Sequence, residues 1–113
     1  MKHMKIAIPL AEGKLAMHFG HSKEFAIFEV DDSEVKNKQC HEPPPHEPGI
    51  LPKWLSDLGV SVIITGGMGG RALHLFMQNG IKVMTGAASL PPEEIVSQYL
   101  SNTLRTGENA CEH

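Results

Sequence analysis

Apolar positions along the chain follow two rhythms, one with the period of a strand and one with the period of a helix. Lys5-Ile6-Ala7-Ile8-Pro9 predicts a short strand that Pro9 closes at its rim, followed by a loop from Leu10 to about Met17. Phe25-Ala26-Ile27-Phe28-Glu29-Val30 is aromatic and apolar enough for a second strand, and Asp31-Asp32-Ser33 supplies a turn. Glu34 to Gln39 alternates weakly and suits a solvated edge strand closing a hairpin. Residues 41–49 carry four prolines and predict an extended, polyproline-like connector. Ile50, Leu51, Trp54, Leu55 and Leu58 then mark one face of a helix that Gly59 ends. Ala72, Leu73, Phe76 and Met77 repeat the spacing before Gly80, and Ile95, Val96, Tyr99 and Leu100 repeat it after Pro91 and Pro92. Two strands lie between the helices, at residues 60–65 and 81–84. The first is almost continuously apolar, as a parallel strand covered on both faces is.

The order β-β-β-α-β-α-β-α describes a three-layer α/β domain. Its five-stranded mixed sheet joins an antiparallel hairpin to parallel strands through a right-handed crossover, with three helices on its faces. Met1-Lys2-His3 precede a second Met at position 4 and read as a leader. A single domain should run over residues 4–105, with residues 106–113, which lack apolar periodicity, as a mobile tail.

With 113 residues, 41% of them hydrophobic, one core can form without disulfide or metal staples. The net charge of −3 makes nucleic acid a poor partner, since phosphate binding needs a concentrated basic face. No apolar run has the length of a membrane span and no secretory signal opens the chain, so a cytoplasmic location is expected. Cys40 and Cys111 stand far apart and form no Cys-x-x-Cys, which argues against a disulfide framework or zinc ribbon. Seven histidines are a surplus that calls for an explanation.

Ligands of open α/β sheets gather beyond the carboxyl ends of the parallel strands. Three loops should reach that edge: His18-Phe19-Gly20-His21, Gly66-Gly67-Met68-Gly69-Gly70, and Thr85-Gly86-Ala87-Ala88-Ser89. The four glycines around Met68 permit close backbone approach and positive φ, and they lead into a helix N-terminus that favours anions. Arg71 adds a positive charge there. The plainer alternative is a tight strand-to-helix turn that needs small residues for packing. Gly67-x-Gly69-x-x-Ala72 resembles a dinucleotide fingerprint, but it follows a late strand and its first downstream acid is Glu93, so nucleotide binding is rejected.

His18 and His21 bracket Phe19 and Gly20 on the predicted ligand edge and are candidate metal or anion contacts, against the alternative of exposed loop histidines. Cys40, His41 and His46 match no standard zinc spacing, and an exposed polar loop is the favoured reading of them. Cys111 and His113 form Cys-x-His in the tail. Aspartate occurs only at 31, 32 and 57, which leaves no carboxylate cluster on the first strand for two-metal nuclease chemistry. Ser22 beside His21 lacks an acid to complete a triad, so no enzymatic activity is expected.

Taken in order, Lys5-Ile6-Ala7-Ile8-Pro9, His18-Phe19-Gly20-His21 with Phe25, residues 66–72 with Phe76, and Gly80-Ile81-Lys82-Val83 resemble the dinitrogenase iron–molybdenum cofactor biosynthesis family from Met4 to about Leu104. The resemblance implies a ribonuclease-H-like fold without nuclease activity and transient binding of an iron–sulfur or molybdenum–iron–sulfur cluster. It carries the family's His-Phe-Gly motif onto His18, Phe19 and Gly20, its glycine turn onto residues 66–70, and its connector histidine onto His46. Many relatives have His-x-His-Gly where this chain has Pro45-His46-Glu47-Pro48-Gly49. The expectation is therefore a carrier or assembly scaffold for an anionic metal–sulfur cluster. Its cofactor contacts would be His18, Phe19, Gly20, His21, residues 66–70 and Arg71. Metal ligands would come from His18, His21, His46, Cys40 and Cys111, and cluster donor and acceptor proteins would be the partners. The competing expectations are a regulatory or interaction module of the same fold without a cluster, and a simple divalent-metal binder.

Overall fold

The computed structural model describes residues 3–17, 23–32, 34–42, 50–101 and 104. Nine elements follow one another among them: β1 (His3–Ala11), β2 (Lys14–Leu15), β3 (Glu24–Asp31), β4 (Glu34–His41), α1 (Ile50–Asp57), β5 (Val62–Ile64), α2 (Gly70–Gln78), β6 (Lys82–Met84) and α3 (Pro92–Leu100). The main sheet order is β4-β3-β1-β5-β6, with β2 paired to β1. β3 and β4 run antiparallel to their neighbours, while β1, β5 and β6 are mutually parallel.

The sheet has six strands among the described residues where five were expected. The extra strand is β2, a two-residue strand whose Leu10↔Leu15 and Ala11↔Lys14 pairs close a tight hairpin. Glu12 and Gly13 between them both take positive φ, 56° and 82°, as the two central residues of a type I′ turn do. A glutamate at the first of these positions is not a usual turn signal, so the hairpin was hidden in what reads as a loop. Pro9 likewise does not end β1. Its carbonyl accepts the Ala16 N–H at 2.8 Å. A strand residue's N–H and C=O share one side, so proline's missing donor falls toward β2 and spares the ladder to β3. At the other end β1 begins at His3, inside the stretch read as a leader, because His3 pairs with Asp31.

Period-two alternation in β1 and β3 divides the core into two clusters on opposite faces of the sheet. Ile6, Ile8, Ala26, Phe28 and Ile64 pack with Ile95 and Val96 of α3. Ala7, Phe25, Ile27 and Ile63 pack with Leu51 and Leu55 of α1 and with Phe76 of α2. The result is three layers, α3 on one face and α1 with α2 on the other. Gly59 and Gly80 end their helices as expected, with φ of 87° and 76°. At both ends two reciprocal bonds close a Schellman cap: Val60 N–H to Leu55 O with Gly59 N–H to Ser56 O, and Ile81 N–H to Phe76 O with Gly80 N–H to Met77 O. The apolar pairs that accompany such caps, Val60 with Leu55 and Ile81 with Phe76, all belong to the same core cluster. The Lys5 ammonium adds a 2.9 Å hydrogen bond to the Leu58 carbonyl at the end of α1. Met77, placed by its spacing on the inner face of α2, is 62% exposed.

β4 is the solvated edge that its sequence predicts, exposed at every position but the last. A register shift opposite Glu29 and Val30 breaks its pairing, and Lys36 and Lys38 stand along it, devices that discourage edge-to-edge association. Among the described residues no helix is long and apolar enough to cross a membrane.

Candidate functional site

The carboxyl ends of β1, β5 and β6 bring three backbone segments together. β5 ends at Ile64, and Thr65 continues it with its N–H bonded to the Met84 carbonyl at 2.9 Å and its carbonyl accepting from Ala87 at 3.3 Å. Gly66 follows, donating to the Ala16 carbonyl at 3.2 Å and accepting the Gly86 N–H at 2.8 Å. One residue thus ties the chain leaving β2 to the chain leaving β6. The Leu15 N–H bonds the Leu90 carbonyl, and the Ser89 hydroxyl donates to the Leu15 carbonyl, both at 2.9 Å.

The four glycines around Met68 serve different purposes. A Cβ on Gly66 would lie 2.7 Å from Met17 Cα and 2.8 Å from the Met17 carbonyl oxygen, distances that no real side chain tolerates. Gly69 and Gly70 are exposed, and a Cβ on either would meet nothing within 4 Å. Packing therefore accounts for glycine at 66 and leaves 69 and 70 unexplained. None of the four takes positive φ, contrary to one expectation from the sequence; in the third loop it is Gly86 that does, at 83°. Met68 is fully buried and packs in the cluster shared with Phe25 and Phe76, so the exposed part of the turn is Gly69 and Gly70.

Gly69 is the N-cap of α2, with φ −62° and ψ 150°, and no side-chain cap bond is formed. The first N–H groups of a helix have no partner within it, and their aligned dipoles leave about half a positive charge at that end. Natural helices usually offset this with an acid in the first turn, as α3 does with Glu93 and Glu94. α2 has no acid there and carries exposed Arg71 instead. A cation at this end of a helix lowers stability slightly, and an anion reverses the sign of that contribution. The turn thus combines a helix end, a guanidinium and two glycines that leave the backbone open to a ligand.

The remaining candidates are dispersed or undescribed. Cys40 is a free, exposed thiol on β4. It stands opposite Ala26, which is opposite Ile8 on β1. Three interstrand steps separate β4 from β5, roughly 14 Å, so Cys40 and the glycine turn do not share one metal ion. His41, next in the strand, faces the opposite side of the sheet, its ring 6.2 Å from that of Trp54 in an edge-to-face arrangement. Among the described residues no group of three His, Cys, Asp or Glu side chains could hold a metal ion. His18, Phe19, Gly20, His21, His46 and Cys111 lie outside the described residues. Sequence reasoning passed over Thr65 and Ser89, whose hydroxyls help to join the three segments. The one available signal was a polar residue ending the apolar run of β5.

Comparison with known proteins places this arrangement. An uncharacterized protein of Methanocaldococcus jannaschii is 33% identical over 113 residues, covering 96% of this chain and 95% of its own. The crystal structure of PH0822 superposes with a TM-score of 0.84 at 30% identity, covering 91% of this chain and 94% of that one. The apo form of the orange protein from Desulfovibrio gigas shares the fold, with a TM-score of 0.73 at 23% identity over 96% of this chain and 98% of its own. Residues 2–102 match the family described as dinitrogenase iron-molybdenum cofactor, and the chain belongs to that family.

Proposed function

We propose that this protein is a non-enzymatic, cytoplasmic carrier or assembly scaffold whose cargo is an anionic iron–sulfur or molybdenum–iron–sulfur cluster. The observation that carries this reading is the amino end of α2, with its open glycines, no acid in the first turn, and Arg71 in place of one. Membership in a family described by an iron-molybdenum cofactor supports a cargo of this class. The first-turn backbone and Arg71 balance the cluster's negative charge, an interaction that is strongest with a multiply charged sulfide-rich anion. His18 and His21 supply imidazole ligands, suited to borderline metals such as iron. Charge neutralisation by backbone is independent of the metal's identity, which suits a scaffold that receives a cluster from a donor protein and releases it to an acceptor.

Anaerobic reconstitution with ferrous iron and sulfide, with and without molybdate, tests the reading through visible absorption. Replacing both His18 and His21 by alanine should weaken cluster binding at least about tenfold, equivalent to ~1.4 kcal/mol. Stability should change by less than ~0.5 kcal/mol. Parent-like spectra and affinity in the double variant would remove these histidines from the site and turn attention to His46 and Cys111.

A further inference from the structure

Thr65 is the only polar residue buried among the described ones, with no exposed surface. Its hydroxyl lies 3.4 Å from the Ala16 carbonyl oxygen and 3.5 Å from that of Gly67. These are long for a hydroxyl donor, whose usual distance is about 2.7–2.8 Å, and the group has a single hydrogen to divide between two acceptors. Stability does not call for a hydroxyl here. Valine has the same shape and is buried without the cost of desolvating a polar group.

Position gives the hydroxyl a use. Thr65 is fixed on the other side by its backbone bonds to Met84 and Ala87, so its side chain is mounted on the rigid end of β5. Its two acceptors belong to different segments. Ala16 immediately precedes Met17, whose backbone crosses Gly66, and Gly67 lies inside the glycine turn. The Ala16 carbonyl also accepts the Gly66 N–H, so neighbouring residues aim two donors at one oxygen. We propose that Thr65 is a positioning residue that couples the backbone leaving β2 to the glycine turn, and so sets the opening at the amino end of α2. The consequence for cargo rests on the reading of that helix end as the binding site, whereas the coupling itself does not.

Thr65→Val and Thr65→Ser separate the two. The readouts are amide hydrogen exchange at Gly66 in ligand-free protein and the affinity for tetrathiomolybdate, a coloured molybdenum–sulfur dianion. Thr65→Val should be no less stable than the parent. It should exchange the Gly66 amide roughly two- to threefold faster and bind the probe roughly two- to threefold more weakly, the low end of a hydrogen bond's net effect, as the long distances imply. Thr65→Ser should restore both. Unchanged exchange in Thr65→Val overturns the coupling, and so does failure of serine to restore it, since the methyl group would then be what matters. Faster exchange with unchanged probe affinity overturns the link to cargo. A parent that takes up no probe counts against the cargo reading, and exchange at Gly66 then decides the coupling alone.

Discussion

At Gly66 an added Cβ would meet the Met17 backbone at 2.7 and 2.8 Å, and backbone atoms cannot swing aside as the far end of a side chain can. Gly66→Ala should therefore cost about 1–3 kcal/mol, the range of overpacked substitutions. Gly70→Ala, where the added atom meets open space, should leave stability unchanged or slightly raised. Urea unfolding of the two variants checks this contrast, and equal losses would contradict the division of roles. A glycine-rich turn was legible in the sequence because four glycines in five residues have few other uses. Which glycine does what was not legible. The chain that crosses Gly66 is 49 residues away in sequence, and no local pattern announces it.

Among the elements, β1, β3, β5 and all three helices follow from apolar spacing, because each must turn an unbroken face to the sheet core. β2 does not, since two residues carry no period and its hairpin turn uses Glu12 where asparagine or glycine would have signalled it. The contact between β4 and α3 was equally hidden, being made by charges on two exposed surfaces. Lys38 pairs with Glu93 in the first turn of α3 and also lies 5.8 Å over the Phe28 ring. A hydrogen bond from Lys38 holds the Glu93 carboxyl below its ordinary value of 4.5, and the same bond raises the Lys38 ammonium above 10.5. The pair's contribution is thus complete between those ordinary values. It is lost as pH falls through the depressed pKa of Glu93, and again as pH rises through the elevated pKa of Lys38. Both groups are largely exposed, so Lys38→Met should cost only ~0.2–1 kcal/mol near neutral pH, less in high salt. The difference from the parent should disappear in unfolding curves taken well below pH 4.5. A difference that persists there would assign it to packing on Phe28 instead.

For the molecule as a whole, one sheet end gathers the chain leaving β2, the glycine turn and the chain leaving β6, and leaves the amino end of α2 open with a positive charge beside it. The sequence pattern foretold this convergence, because parallel strands deliver their following loops to the same edge. It could not separate Cys40 from the turn, since strand order, not sequence, puts β4 at the far edge. The central claim, that the amino end of α2 receives an anionic metal–sulfur cargo, is tested most directly by Gly69→Asp. The N-cap backbone is in the extended region that capping residues adopt, and a Cβ meets no obstacle there. Aspartate should therefore cap the helix and raise stability by a few tenths of a kcal/mol, while placing a carboxylate where the cargo's charge belongs. The measurement is an anaerobic titration of parent and Gly69→Asp with tetrathiomolybdate, followed by visible absorption. The account predicts saturable binding to the parent that weakens with salt, and at least about tenfold weaker binding to the more stable variant. Equal affinity in a stably folded Gly69→Asp protein would contradict it.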